Sequence, residues 1–125
     1  MFAPLTPAGP DIETFPGLLM LRTEGRVHFA NAQRIGDRMW ALVHEANPRI
    51  LALEMSAVPD LEYTALKALT AAEQKLREAG TTVWLVALNP GVRDVIDRAP
   101  LGKTLGEGRI LPSLGHALET YQSLP

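Results

Sequence analysis

The chain predicts an α/β fold in which a mixed, mainly parallel sheet of about five strands carries about four helices. Three observations predict it. Residues 50–69, ILALEMSAVPDLEYTALKAL, open with an apolar run and break at Ser56 to Asp60. Beyond Glu62, apolar residues recur at Ala65, Leu66, Leu69, Ala72 and Leu76. That is a strand, a short loop and a helix. Residues 82–88 are apolar at both alternating sets of positions, the mark of a strand buried on two faces. Around these two stretches, short apolar runs alternate with helical spacing after an opening hairpin. Such an order calls for parallel strands joined by right-handed crossover helices.

Taken in order, residues 1–15 carry Pro4, Pro7 and Pro10 with too little apolar surface to fold alone, and read as a linker or arm; residues 16–125 read as the domain. Leu18 to Leu21 predict a strand stopped by Thr23-Glu24-Gly25, and residues 26–29 a second brief strand that closes a hairpin with it. Ile35, Met39, Leu42, Val43 and Ala46 share one face of a helix over 31–46, with Asn31 as its amino cap and Asn47-Pro48 as its stop. After the central strand and helix, Gly80 is placed as a left-handed cap. Asn89-Pro90 starts a third helix that Pro100 ends, and residues 101–108, with three glycines, read as a loop. A last strand is expected at 109–111, then a helix capped by Ser113 with Leu114, Ala117, Leu118 and Tyr121 on one face.

Composition excludes several function classes. Twelve basic and fourteen acidic residues give a net charge of −2, so the electrostatic footprint of a nucleic-acid binder is missing. With no cysteine there is no thiol nucleophile and no sulfur metal site, which suits a reducing cytoplasm. No stretch approaches the roughly 20 apolar residues of a membrane span. The chain as it stands is expected to be soluble and unexported, with no direct membrane insertion. His28, His44 and His116 fall on separate elements without ligand spacing, and neither a nucleophile elbow nor a phosphate-cradling loop occurs. No enzyme, metal or cofactor is expected.

The candidate working surface is the loop at the carboxyl end of the central strand, Asp60, Glu62, Tyr63, Thr64 and Ala65, because ligands and modifying groups meet open α/β sheets there. Asp60 and Glu62 are expected first of all to cap the next helix and complement its dipole, for about 0.3–1 kcal/mol each. Tyr63 and Thr64 are the only hydroxyls at the helix start and the only candidate phosphoacceptors, with Thr64 more simply a helix-start hydrogen-bonding residue. Trp84 is expected in the core. Trp40, with Arg34 and Arg38 four apart on the same helix, is the candidate partner contact for an acidic or phosphate group.

At this loop the chain resembles the signature of the STAS domain, shared by anti-sigma-factor antagonists and the cytoplasmic tails of sulfate-permease-type anion transporters. The pattern runs valine, proline, aspartate, a hydrophobe, then Asp-Ser-Thr-Gly-Leu. Val58, Pro59, Asp60, Leu61, Thr64, Leu66 and Leu69 fit it, while Glu62 stands for the Asp, Tyr63 for the phosphorylated Ser and Ala65 for the Gly. The resemblance extends over residues 16–121. The string VHFANA at 27–32 is similar to the YFANA segment of transporter STAS domains. What the resemblance implies is a regulatory, non-catalytic module on the cytosolic side of a cytoplasmic-membrane anion transporter. Such a module contacts the transmembrane domain of the same transporter and, as further candidates, a soluble protein or a nucleotide. The alternative is a stand-alone antagonist released from its partner by phosphorylation. Because a tyrosine replaces the serine, loss of phosphoregulation is the preferred reading.

Overall fold

The computed structural model describes residues 11–125. Five strands form one sheet in the order in which they occur in the chain: β1 (Ile12–Phe15), β2 (Leu18–Glu24), β3 (Ile50–Ala57), β4 (Thr82–Val86) and β5 (Ile110–Leu111). β1 is antiparallel to β2, and every later pair is parallel. The connections are α1 (Phe29–Ala46) after β2, α2 (Ala65–Glu78) after β3, and α3 (Pro90–Asp97) with α4 (Pro100–Leu105) after β4. A short 3₁₀ turn, Glu107–Arg109, leads into β5, and α5 (Leu114–Gln122) follows it.

Strand order decides how the layers form. A right-handed crossover that steps always to the same side lays each helix on the same face of the sheet. Accordingly Leu19, Leu21, Leu51, Leu53, Val83 and Leu85 pack in one cluster with Met39 and Val43 of α1, Leu66 and Leu69 of α2, Ile96 of α3 and Leu101 of α4. The opposite face, formed by Leu18, Met20, Ile50, Ala52, Trp84 and Val86, is left to α5, whose Ala117 is buried there beside Leu111. Trp84 is therefore core, as its strand pattern predicts.

The ends of α5 show how it is held. Ser113 Oγ accepts the His116 backbone N–H at 3.0 Å, the expected amino cap. At the other end the Tyr121 hydroxyl donates to the Pro16 carbonyl at 2.6 Å, and Arg49 Nη1 donates to the Pro125 carbonyl at 3.0 Å. Gly17, at φ +80°, turns β1 into β2 directly against Tyr121, so that a Cβ there would run into the hydroxyl. Within the other layer, Glu73 of α2 is buried yet satisfied: Arg77 donates to both its oxygens, at 3.0 and 3.2 Å. That hydrogen bonding, and then the carboxylate charge, raises the Arg77 pKa further above its ordinary value.

Four elements differ from expectation. Residues 12–15, expected in the arm, form β1, a short edge strand with Glu13 and Thr14 exposed, too brief and too polar for an apolar pattern to register. Residues 1–10 of that arm lie outside the described residues. The opening hairpin is β1–β2, because residues 26–29 contribute only an isolated parallel bridge, Val27 to Leu61, before α1 begins at Phe29. Asn31 is consequently not the amino cap of α1. His28 holds that position, and Asn31 reaches back to accept the His28 backbone N–H at 2.7 Å. Pro100 does not lead into a loop but opens α4, where proline at the first helical position loses nothing. Gly102 lets α4 turn back tightly on α3, since a Cβ there would meet the Ile96 carbonyl. Among the described residues there are five α-helices where about four are expected.

The two positive-φ glycines at 17 and 25 separate two costs. Gly25 is at φ +84° with open space around its Cβ position, so Gly25→Ala is expected to cost only the backbone penalty, about 1–2 kcal/mol. Gly17→Ala adds displacement of Tyr121 and is expected to cost at least about 1 kcal/mol more, roughly the worth of the broken hydrogen bond. Urea melts of the two variants check this, and equal losses would mean that α5 is not anchored at Tyr121.

Candidate functional site

The loops that follow β2 and β3 run side by side at the carboxyl end of the sheet. The Val27 N–H donates to the Asp60 carbonyl at 2.9 Å and the Glu62 N–H to the Val27 carbonyl at 2.8 Å, while the Gly25 N–H reaches the Ala57 carbonyl at 3.1 Å. Val27, Val58 and Leu61 are fully buried and pin both loops to the core. From the third side, Asn89 Nδ2 donates to the Val58 carbonyl at 2.6 Å and the Ser56 carbonyl at 3.3 Å. Asn89 is the amino cap of α3 by backbone, but its side chain makes no cap bond and braces the β3 loop instead. Asn31 completes the frame, its Nδ2 donating to the Arg26 carbonyl at 2.8 Å.

On this frame sit the predicted site residues. Asp60 is exposed and pairs with Arg26, Nε to Oδ2 at 2.8 Å. It therefore does not cap α2. The first turn of α2 contains no acidic residue, and neither does Thr64, the residue before it, make a side-chain cap bond. The expected capping roles of Asp60, Glu62 and Thr64 are thus corrected. The reason lies in the backbone: Thr64 is already helical at φ −66°, ψ −24°, and carbonyls of Glu62 and Tyr63 accept from Ala65 and Leu66, so the loop enters the helix through a tight turn. A cap side chain needs an extended residue at that point. Ala65 is completely buried, whereas Tyr63 and Thr64 are exposed.

Tyr63, at 61 % exposure, has a counterpart that sequence reasoning missed. Phe29, at 52 %, is the other exposed large hydrophobic side chain among the described residues. Each stands two positions beyond a member of the Val27–Leu61 bridge. The usable signal was VHFANA itself, where Phe29 precedes a helix whose apolar face begins only at Ala32. The candidate trio Arg34, Arg38 and Trp40 is not brought together. Arg38 pairs with Asp11 and lines, with Arg34, an open recess beside Thr23 and Glu24. Trp40 lies on the far flank of α1, facing α2, with Lys75 Nζ 4.2 Å from its ring centroid and His44 stacked at 6.2 Å. Two residues apart on a helix means about 200° around its axis, and the sequence spacing alone excludes a common face.

Chemically, this is a ridge of loops. Open α/β sheets make a cleft at the carboxyl end where strand order reverses, and among these parallel strands it never reverses. Among the described residues no three histidine, aspartate or glutamate side chains converge as a metal site would require. The described arrangement exposes aromatic and charged side chains along that ridge.

A five-stranded sheet of this order, with a bridged double loop ahead of two helices, defines a class of small α/β domains. The chain belongs to the STAS domain family, whose model matches residues 9–117. It is 26 % identical over 122 residues to high affinity sulfate transporter 2 of Stylosanthes hamata, covering 90 % of this chain and 18 % of that protein. The chain thus spans less than a fifth of the curated relatives it matches. Among solved structures, the SulP transporter STAS domain of Vibrio cholerae is 26 % identical with a TM-score of 0.71, covering 89 % of each chain. An anti-sigma factor antagonist of Mycobacterium paratuberculosis is 28 % identical with a TM-score of 0.73, covering 92 % of this chain and 98 % of its own. STAS domains occur in transporters and antagonists, and nothing in the match points to catalysis.

Two substitutions probe the site frame. Ala65→Gly removes a buried methyl, worth about 0.8 kcal/mol, and adds a backbone cost of about 0.5–1 kcal/mol, so denaturant melts are expected to show a loss of about 1–2 kcal/mol. Asn89→Ala leaves the buried Val58 carbonyl without its donor and is expected to cost about 1–3 kcal/mol. Hydrogen exchange in that variant should rise at residues 56–62 more than in β4; a uniform rise would show that Asn89 does not brace the loop.

Proposed function

We propose that this chain is the non-catalytic regulatory domain of a sulfate-permease-like anion transporter, lying on the cytosolic side of the membrane. Its partner is the transmembrane domain of the same polypeptide, and residues ahead of β1 act as the linker to it. The observation that supports this reading is the shape of the match to the Stylosanthes hamata sulfate transporter, which takes in nearly all of this chain and a small part of a much longer protein. VHFANA, at the start of α1, supports it from the residues. The docking surface in this reading is the loop of Asp60, Glu62, Tyr63, Thr64 and Ala65 with Arg26 and Phe29 beside it, and a soluble protein or nucleotide would meet the domain at the same ridge.

A second reading, a stand-alone anti-sigma-factor antagonist, is favoured by one observation: the Mycobacterium paratuberculosis antagonist is matched over almost its whole length. The readings part at the phosphoacceptor. Tyr63 stands in the serine position, and its phenol lies several ångströms further from the backbone than a serine hydroxyl would. Thr64 is one residue on, turned by about 100° where the backbone is already helical. A kinase shaped for serine therefore finds no nucleophile at the distance and angle that transfer needs.

Cell fractionation with an antibody to the domain is expected to place it in the membrane fraction as part of a much larger polypeptide. A soluble species of 13.6 kDa alone would overturn the transporter reading. Mass spectrometry of the protein from its own cells, with incubation of the pure domain with anti-sigma kinases, is expected to find no stoichiometric phosphate. Phosphate abolished by Tyr63→Phe or Thr64→Val, and linked to loss of a partner complex, would promote the antagonist.

A further inference from the structure

We propose that the rings of Phe29 and Tyr63 seat the carboxyl end of the sheet on the lipid interface of a membrane, at headgroup depth and without any segment spanning it. This rests on the tethered reading above and adds the surface that faces the bilayer. The two rings are the exposed large hydrophobics among the described residues, and both lie at this one end, each two residues past the Val27–Leu61 bridge. The chain also enters the fold here. β1 runs antiparallel to β2, with the Arg22 N–H donating to the Asp11 carbonyl at 2.7 Å and the Asp11 carboxylate paired with Arg38 of α1. A linker arriving from a membrane-embedded segment would therefore hold this end, and not the α5 end, towards the bilayer.

Within the ridge that docks on the transporter, the local chemistry of these two rings favours the lipid at the edge of the transmembrane domain over its protein surface. Tyrosine and tryptophan populate the headgroup level, and phenylalanine serves the buried apolar face of interfacial segments. Around the two rings Arg26 is neutralised by Asp60 at 2.8 Å, and the flanking segments expose charges of both signs, Arg34 and Lys67 as well as Glu24 and Asp37. Among the described residues the charges near the rings are of both signs, and neither ring lines the recess beside Trp40 or the one beside Arg34 and Arg38. Two half-exposed rings are too small an area to hold a free domain on a membrane. Tethering raises their effective concentration to the millimolar range, where such a contact becomes occupied.

The native chain has no cysteine, so one introduced thiol gives one labelled site. The full 125-residue chain, tagged with histidines at its amino end, is bound to phosphatidylcholine vesicles holding a nickel-chelating lipid. An environment-sensitive dye is placed at Lys67→Cys, close to the rings, or at Gln122→Cys, at the opposite end of the domain. Brominated phosphatidylcholine is expected to quench the Lys67→Cys dye several-fold more than the Gln122→Cys dye. That difference should persist in 0.5 M salt and vanish in Phe29→Ser/Tyr63→Ser. Equal quenching at both ends, or quenching that survives the double substitution, overturns the proposal. So does a dye response that follows protein concentration without vesicles, because the rings would then join two copies of the chain. The tag supplies the tether here, so failure would leave the transporter reading intact, and failure of the fractionation experiment would leave this result intact.

Discussion

Everything in this domain depends on the handedness of its crossovers acting on a sheet whose strands never reverse order. Once β2, β3, β4 and β5 lie side by side in chain order, right-handed connections have no choice of face. Four helices accumulate on one side and the other side is left bare. Among the described residues the terminal helix α5 is the remaining element, and it buries Trp84 and its neighbours. The same constraint removes the cleft that a reversal would have opened at the carboxyl end, and leaves a ridge of adjacent loops. Layering and the kind of site are therefore two results of one topological fact.

The ridge is rigid for reasons unrelated to its exposed residues. Its backbone is paired loop to loop through Val27, its apolar anchors at Val58 and Leu61 are fully buried, and Asn89 reaches over from the next connection. Exposed Tyr63, Thr64 and Phe29 can thus vary while the platform stays the same. A different side chain at position 63 would change the chemistry on offer without touching a frame contact.

Much of this was legible in the residues, and the parts that were not share a cause. The central strand, loop and helix, the buried β4, the Asn89-Pro90 start and the Ser113 cap are each written in a local pattern whose physics is complete within a few residues. β1 is legible only through its partner: four residues with two exposed polar side chains have no apolar pattern of their own and form because β2 is there to pair with. Val27 looked like strand because it is apolar and buried, but its single bridge is to Leu61, 34 positions away. Asp60 was the natural cap for α2 until Arg26, equally distant in sequence, claimed its carboxylate. The grouping of Trp40 with Arg34 and Arg38 failed for a different reason, since helical geometry already separated them.

The Tyr121 latch gives the molecule a mechanical polarity. The described chain begins at the carboxyl pole of the sheet, beside Arg22, and ends at the amino pole, where Tyr121 holds Pro16 and Arg49 holds the Pro125 carbonyl. A force drawing the two ends apart acts along the strands. The β1–β2 ladder is then loaded in shear, all its hydrogen bonds sharing the load together, where a pull from a common pole would peel them one by one. The short antiparallel edge strand is thereby the one oriented to resist extension, and Gly17, by letting the turn close on Tyr121, ties that strand to the helix at the far end of the described chain.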